Sequence, residues 1–256
     1  MAIHKTAIIC PEAIIGRDCE IGPYAVIGEN VTLGDNISIS AHCVIDGWTT
    51  IGSGCRIFPH AVIGMITQDL KYKGGKSYVE IGKNTTIREF ATIHMATAPG
   101  GKTIVGDNCL LLAYSHVAHE CIVGNDVIMS NGATLAGHVI IHDKVIIGGL
   151  SGVHQFCRIG KFAYIGGCSK VVQDVPPYML GEGDPFKIYS PNIVGLERNN
   201  FSEEAKDTIK KAYKILYRSN LNVSQAVDKI KKDLPQTEEV IQIIKFIEES
   251  ERGIVK

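Results

Sequence analysis

The stretch Ala13 to Gly28 reads AIIGRDCEIGPYAVIG, and its residues Ile15, Ile21 and Ile27 fall at every sixth position. The phase extends outward in both directions, to Ile3 and Ile9 before it and to Leu33, Ile39, Ile45, Ile51, Ile57 and Ile63 after it. It resumes at Ile81, Ile87 and Ile93. It runs again through Val105, Leu111, Val117, Val123, Met129, Leu135, Ile141, Ile147, Val153, Ile159, Ile165 and Val171. Asp69, Gly75 and Pro99 break the series. A unit this short cannot bury its own apolar residue, so the units stack as a solenoid with strands about 4.8 Å apart. A β-sandwich would not hold one phase over so many units. Glycine often comes next, as at Gly16, Gly22, Gly28, Gly124 and Gly160. That suits a tight corner whose backbone conformation is awkward for other residues.

Composition narrows the function classes. The chain has 256 residues, 45% of them hydrophobic, and a formal net charge of -1, which gives no reason to expect a nucleic-acid partner. The opening MAIHKTAIICPEAIIG has no continuous apolar stretch behind a basic head. No apolar run approaches the ~18 residues of a membrane span. A soluble, unexported protein without membrane insertion is expected. The eight cysteines include no C-x-x-C pair. Cys19, Cys43, Cys55, Cys109, Cys121 and Cys157 share one phase of the repeat, which reads as small, buried, reduced thiols rather than disulfides or zinc ligands.

The repeat resembles the hexapeptide-repeat family, which implies a left-handed parallel β-helix with three hexads to a coil and association as a homotrimer. The phase ends near Val171, and Val175-Pro176-Pro177 stops regular strands. Helical spacing follows, with Ser202 as a cap ahead of Glu203 and Glu204. Ile209, Ala212, Tyr213, Leu216 and Tyr217 make one apolar face, and Val240, Ile243, Ile244 and Ile247 another. The expected architecture is therefore mainly β: a β-helix over 1–191 with inserted loops near 65–80 and 95–103. A small C-terminal α-helical domain over 192–256 would cap the open end.

Long excursions from a rigid scaffold are where function concentrates. The first holds Thr67-Gln68-Asp69-Leu70-Lys71-Tyr72. At three hexads per coil, His116, His119, His138 and His154 line one edge across successive coils. His4, His42, His60, His94 and His142 read as surface histidines.

The segments Gln68 to Tyr72, Ala118-His119, Leu135 to Val139, Val153 to Cys157, Gly166 to Ser169 and Gln173 to Tyr178 resemble the UDP-N-acetylglucosamine 3-O-acyltransferase family. The likeness includes Ala212-Tyr213-Lys214 and Tyr217-Arg218-Ser219 in the tail. It implies transfer of an (R)-3-hydroxyacyl group to the 3-hydroxyl of UDP-N-acetylglucosamine, the first step of lipid A synthesis. The donor would be acyl carrier protein bearing a phosphopantetheine thioester. No metal and no other cofactor is implied, and the setting would be the cytoplasm of a Gram-negative bacterium.

By the same resemblance His119 is the general base, a role that imidazole's pKa near 6.5 suits. Gly137 supplies a backbone N–H to the oxyanion, and Glu120 orients the base where relatives often carry aspartate. Gln68, Asp69 and Lys71 face the acceptor or the reacting region. His116, His138, His154 and Gln155 position sugar and acyl groups, Gly167 borders the acyl channel, and Asn192 and Arg198 meet the nucleotide. A guanidinium fork suits phosphate oxygens. Val194 and Asn199 stand where relatives carry a glutamate and a second arginine.

Three other readings compete. The later N-acyltransferase of the pathway carries an additional domain ahead of its β-helix, whereas this repeat begins at Ile3. A zinc carbonic anhydrase on the same scaffold has a His-x-x-x-x-His spacing that His116/His119 and His138/His142 do not match. A scaffold protein needs neither the loop motif nor aligned histidines. In the tail, Lys210, Lys211, Lys214 and Arg218 give one helix a basic side fit for an acidic carrier protein.

Overall fold

The computed structural model describes residues 2–256. Short strands are laid down in rotation on three sheets. Sheet I runs from Ala2–Ile3 to Lys187–Pro191, sheet II from Ile8–Ile9 to Lys170–Val171, and sheet III from Ile14–Ile15 to Arg158–Ile159. The sheets contain 11, 9 and 8 strands respectively. Ile3 registers on Ile21 and Ile21 on Ile39, so the period-six residues form columns inside a three-sided, left-handed coil. Ile21, Ile27, Leu33, Ile39 and Ile45 are at most 2% exposed. Burying each contributes roughly 1.5–3 kcal/mol.

The in-phase cysteines are buried and free. Their thiols point at backbone carbonyls one coil on, as Cys19 Sγ does at Gly34 O (3.2 Å) and Cys121 Sγ at Ala136 O (3.0 Å). Burial pushes Cys43, Cys55, Cys109 and Cys157 up to about 11 and Cys121 up to about 12, so they stay protonated and inert.

The glycines have a different cause from the one their spacing suggests. Left-handed backbone falls two residues after Gly16, Gly22, Gly124 and Gly160, at Asp18 (φ 55), Tyr24 (φ 57), Asp126 (φ 56) and Phe162 (φ 60), none of which is glycine. Gly16 is demanded instead by proximity: a β-carbon there would stand 2.3 Å from Gly34 O in the next coil. The left-handed corners also stack their side chains. Tyr24, His42, His60, Phe90 and Tyr114 form a ladder along the edge between sheets I and II, with centroids 4.8 to 5.1 Å apart.

The coil ends in an antiparallel hairpin, Met179–Glu182 with Lys187–Pro191, joined to sheet I through Tyr164–Ile165. Four helices follow: α1 (Ile193–Arg198), α2 (Glu203–Arg218), α3 (Val223–Asp233) and α4 (Glu238–Glu248). Ser202 caps α2 by accepting the Ala205 N–H (3.1 Å), and Ile209, Ala212, Tyr213 and Leu216 are buried as their spacing requires. The buried face of α4 includes Val240, Ile243, Ile244 and Ile247. The α2 helix packs on α3, α4 and strand Lys187–Pro191. Among the described residues no helix is long and apolar enough to cross a membrane.

Candidate active site

Both excursions leave sheet II and return on sheet III, so they share one edge of the prism. The longer spans 66–77, between strands Val62–Met65 and Tyr78–Ile81. The shorter spans 95–101, between Thr92–His94 and Lys102–Val105. The turns carrying His119-Glu120, Gly137-His138 and His154-Gln155 lie on this same edge, one coil after another.

His119 is the hub. Its Nδ1 lies 2.5 Å from Glu120 Oε2, and its Nε2 is 3.9 Å from Asp69 Oδ2 of the long loop. His138 stands edge-on to it, with ring centroids 5.2 Å apart and Nε2 3.8 Å from Glu120 Oε2. Phe156 stacks on His138 at 4.8 Å and holds that ring from the next coil. Glu120 and His138 occupy left-handed corners, which aim successive residues outward from the edge. The Glu120 N–H donates to the fully buried Thr103 Oγ1 (3.0 Å), fixing the corner from below.

Gly137 lies one coil from His119, and a β-carbon on it would stand 2.2 Å from His119 Cε1. Its neighbours' amides are used between coils, Ala136 N–H to Val153 O and His138 N–H to His119 O. The Gly137 N–H itself has no partner among the described residues, so a donor sits beside the imidazole.

A cavity of about 560 Å³ is lined by Gln68, Asp69, Leu70, Lys71, His94, His116, Ala118, His119 and Gln155. A second, of about 380 Å³, adjoins it across Asp69, Lys71 and Gln155 and reaches Glu120, His138 and Phe156. Both are of a size that takes a sugar-sized ligand. His116 Nδ1 lies 2.7 Å from Thr92 Oγ1. Burial first, then His94 and His119, pulls His116 down to about 4, so it is neutral at pH 7.

His94 corrects the expectation of a surface histidine. It is 7% exposed, lies edge-on to His116 at 5.0 Å and lines the larger cavity, with a pKa lowered by burial and then by His119. Its clue was masked by the loop. Thr92 registers on His116, so the coil around residues 92–116 is longer than the repeat. His142 is not a plain surface residue either: it is half-buried, with Phe246 edge-on at 5.9 Å.

Gln68, Asp69, Lys71, His116, His119, Glu120, Gly137, His138 and Gln155 thus converge. His154 does not join them; it is exposed, with Nδ1 3.1 Å from Gln155 O, and lines neither cavity. Gly167 sits on the edge between sheets I and II, beside Gly149. Asn192 is buried at the edge between sheets III and I, donating to Phe162 O (2.9 Å) and accepting the Gly195 N–H (3.1 Å) as the cap of α1. Arg198 ends that helix, exposed. Of the departures noted above, Val194 is exposed, and Asn199 Oδ1 accepts from Lys144 Nζ (2.9 Å).

Among the described residues the grouping able to offer three metal ligands is His119, Glu120 and His138, with ligand atoms within 4.8 Å of one another. The short His119–Glu120 bond commits two of these groups to each other. A histidine whose Nδ1 is held by a carboxylate leaves Nε2 free to accept a proton.

Comparison with known proteins gives the family of the chain. The family model "Udp N-acetylglucosamine O-acyltransferase; Domain 2" matches residues 174–255, and the bacterial transferase hexapeptide model matches 12–47 and 102–137. An acyl-[acyl-carrier-protein]--UDP-N-acetylglucosamine O-acyltransferase of Thermodesulfovibrio yellowstonii is 51% identical over 255 residues, 99% of each chain. A UDP-N-acetylglucosamine acyltransferase from Bacteroides fragilis superposes with a TM-score of 0.97 at 45% identity, over 99% of this chain and 100% of that one. The Acinetobacter baumannii structure gives 0.97 at 43% identity over 100% of both chains. The chain belongs to the UDP-N-acetylglucosamine O-acyltransferase family.

Proposed function

We infer that this enzyme transfers an (R)-3-hydroxyacyl group from acyl carrier protein to the 3-hydroxyl of UDP-N-acetylglucosamine, the first step of lipid A biosynthesis. The observation that carries the reading is the His119–Glu120 pair set beside the unpartnered Gly137 N–H, in a cavity walled by Asp69 and Lys71.

A sugar hydroxyl is barely ionised at neutral pH, so its proton must leave as it attacks. With Nδ1 held by Glu120, His119 Nε2 takes that proton, and the hydroxyl oxygen bonds to the thioester carbonyl carbon. The carbonyl electron pair moves onto oxygen, where the Gly137 N–H receives it. Glu120 stabilises the imidazolium, as the carboxylate of a triad does. The carbonyl reforms, the C–S bond breaks, and the imidazolium returns the proton to the departing pantetheine thiolate. The step balances without a further cofactor or metal.

Gln68, Asp69 and Lys71 hold the acceptor side, while His116, His138 and Gln155 position sugar and acyl groups. His116, neutral at working pH, serves as a hydrogen-bond partner rather than a cation. Gly167, Asn192 and Arg198 lie on the other two edges, and a neighbouring copy is what would bring such edges to the cavity. This supports a homotrimer with sites between subunits. The cytoplasm of a Gram-negative cell is the location that this reading implies.

The test offers UDP-N-acetylglucosamine with a mixture of hydroxyacyl carrier proteins and reads the product by mass spectrometry. An O-linked hydroxyacyl product is expected, and His119→Ala should lower kcat by roughly 10² to 10⁴. An N-linked product, or near-normal turnover in the variant, counts against the reading.

A further inference from the structure

The two loops are tied to each other and to His119 by a closed circuit of side-chain and backbone groups. Glu120 Oε2 holds His119 Nδ1 at 2.5 Å, while Oε1 of the same carboxylate accepts the backbone N–H groups of Thr97 (2.7 Å) and Ala98 (2.8 Å). Thr97 Oγ1 then donates to Thr67 Oγ1 (3.2 Å) in the long loop. Thr67 Oγ1 also accepts the Asp69 N–H (3.1 Å), and Asp69 Oδ1 accepts the Lys71 N–H (2.9 Å). Asp69 Oδ2 closes the circuit 3.9 Å from His119 Nε2.

We propose that Thr67 and Thr97 are positioning residues, whose hydroxyl pair sets the distance between the acceptor loop and the base. The feet of the loops are joined independently, by Met95 N–H to Met65 O (3.0 Å), Gly100 N–H to Lys76 O (2.7 Å) and Ser77 Oγ to Ala96 O (2.7 Å). The hydroxyl pair is therefore not needed to close either loop. It joins them at the level of Asp69. Thr67 is 6% exposed, so its hydroxyl is shielded from water, and removing its partner leaves no solvent to replace it.

The site gains from this in two ways. Asp69 and Lys71 lie on a segment with no regular secondary structure, which by itself would sample many positions. The Thr67–Thr97 bond ties that segment to the carboxylate that orients His119, so the acceptor loop and the base share one reference point. Preorganisation of this kind acts where the acceptor binds and leaves the donor alone.

The inference rests on His119 as base and Asp69 as an acceptor contact, and the experiment separates the two. Thr97→Val removes the hydroxyl yet keeps the backbone N–H to Glu120 and the shape of the side chain. It should raise KM for UDP-N-acetylglucosamine roughly five-fold, the worth of one hydrogen bond, with KM for the acyl carrier protein donor unchanged and kcat within about two-fold. Thr67→Val, which removes the acceptor of two bonds, should have a larger effect in the same direction. Thr97→Ser should restore the wild-type KM. Melting temperatures confirm folding, and Thr97→Val stands alone should Thr67→Val fold poorly. An unchanged acceptor KM, or equal changes for both substrates, overturns the proposal. His119→Ala, run in parallel, reports on the base: an active His119→Ala sinks that assignment. An inactive one beside an unaltered Thr97→Val sinks the latch only.

Discussion

The imidazole of His119 rests against the bare α-carbon of Gly137, one coil on, with 2.2 Å between its Cε1 and the place where a β-carbon would stand. The relationship ties the position of the imidazole to the absence of a side chain. Gly137 therefore has two uses, close approach and an open N–H, and neither requires left-handed backbone.

Gly137→Ala should consequently displace the imidazole without harming the coil, because the atoms the new methyl meets first belong to that movable ring. A shift of about 1 Å in a catalytic group can cost on the order of 100-fold in rate. Gly148→Ala is the control, since its β-carbon would meet backbone, Gly167 N at 2.5 Å. We expect Gly137→Ala to keep its melting temperature and lose kcat, and Gly148→Ala to lose melting temperature. The opposite pattern would remove the steric account.

His116 gives a pH dependence with a defined sign. Its folded value of about 4 lies below the ordinary imidazole value of 6.5, so the unfolded chain binds more protons between those values. Stability from this group is complete above pH 6.5 and is lost as pH falls toward 4, at no more than about 1.4 kcal/mol per pH unit. His94 and His142 are lowered by burial and add in the same direction. The melting temperature should fall between pH 7.5 and 5, and fall less in His116→Asn. An identical fall in the variant would exclude His116 as a contributor.

The fold was legible because one requirement, an inward aliphatic residue per hexad, recurs without regard to what surrounds it. The site's histidines aligned in the sequence where coil phase survived, while Gln68, Asp69 and Lys71 of the long loop came only from the resemblance. His119, Gly137, His138 and Gln155 lie after both insertions and keep their spacing. His94 lies between them, where the longer coil keeps it from aligning with His116 at the repeat's spacing. The glycines misled for a different reason: sequence marks where a side chain is forbidden but not whether dihedral angle or a neighbouring coil forbids it. Helix α1 has Leu196 as its one buried residue, too few for a helical period to show, whereas Val223, Ala226, Val227 and Ile230 of α3 do keep helical spacing and went unread.

The tail's basic stripe is narrower than its sequence suggests. Lys210 is half-buried and paired with Asp207 at 3.0 Å, whereas Lys211, Lys214 and Arg218 are exposed at helical spacing on α2. Acyl carrier proteins are acidic, so Lys214→Glu with Arg218→Glu should raise KM for the donor, more at low salt than at high. KM for the sugar nucleotide should not move. A donor KM unchanged at low salt would return the stripe to an ordinary solvated face.

Gly167 sets the last expectation, the length of the acyl chain. Its backbone is not left-handed, and a β-carbon would meet Gly149 O at 3.3 Å with nothing closer, so a side chain here asks that carbonyl to give by only a few tenths of an ångström. That separates it from Gly166, whose β-carbon would stand 2.5 Å from Glu182 Cβ. Glycine at 167 is therefore open to the proposed role of bordering the acyl channel. Each methylene excluded from an apolar channel costs about 0.8 kcal/mol, so a side chain that blocks several shifts selectivity by orders of magnitude. Gly167→Met should lose kcat/KM selectively for long hydroxyacyl donors while shorter ones are retained and the melting temperature holds. Equal loss for every donor, together with poor folding, would mean that the glycine serves the coil alone.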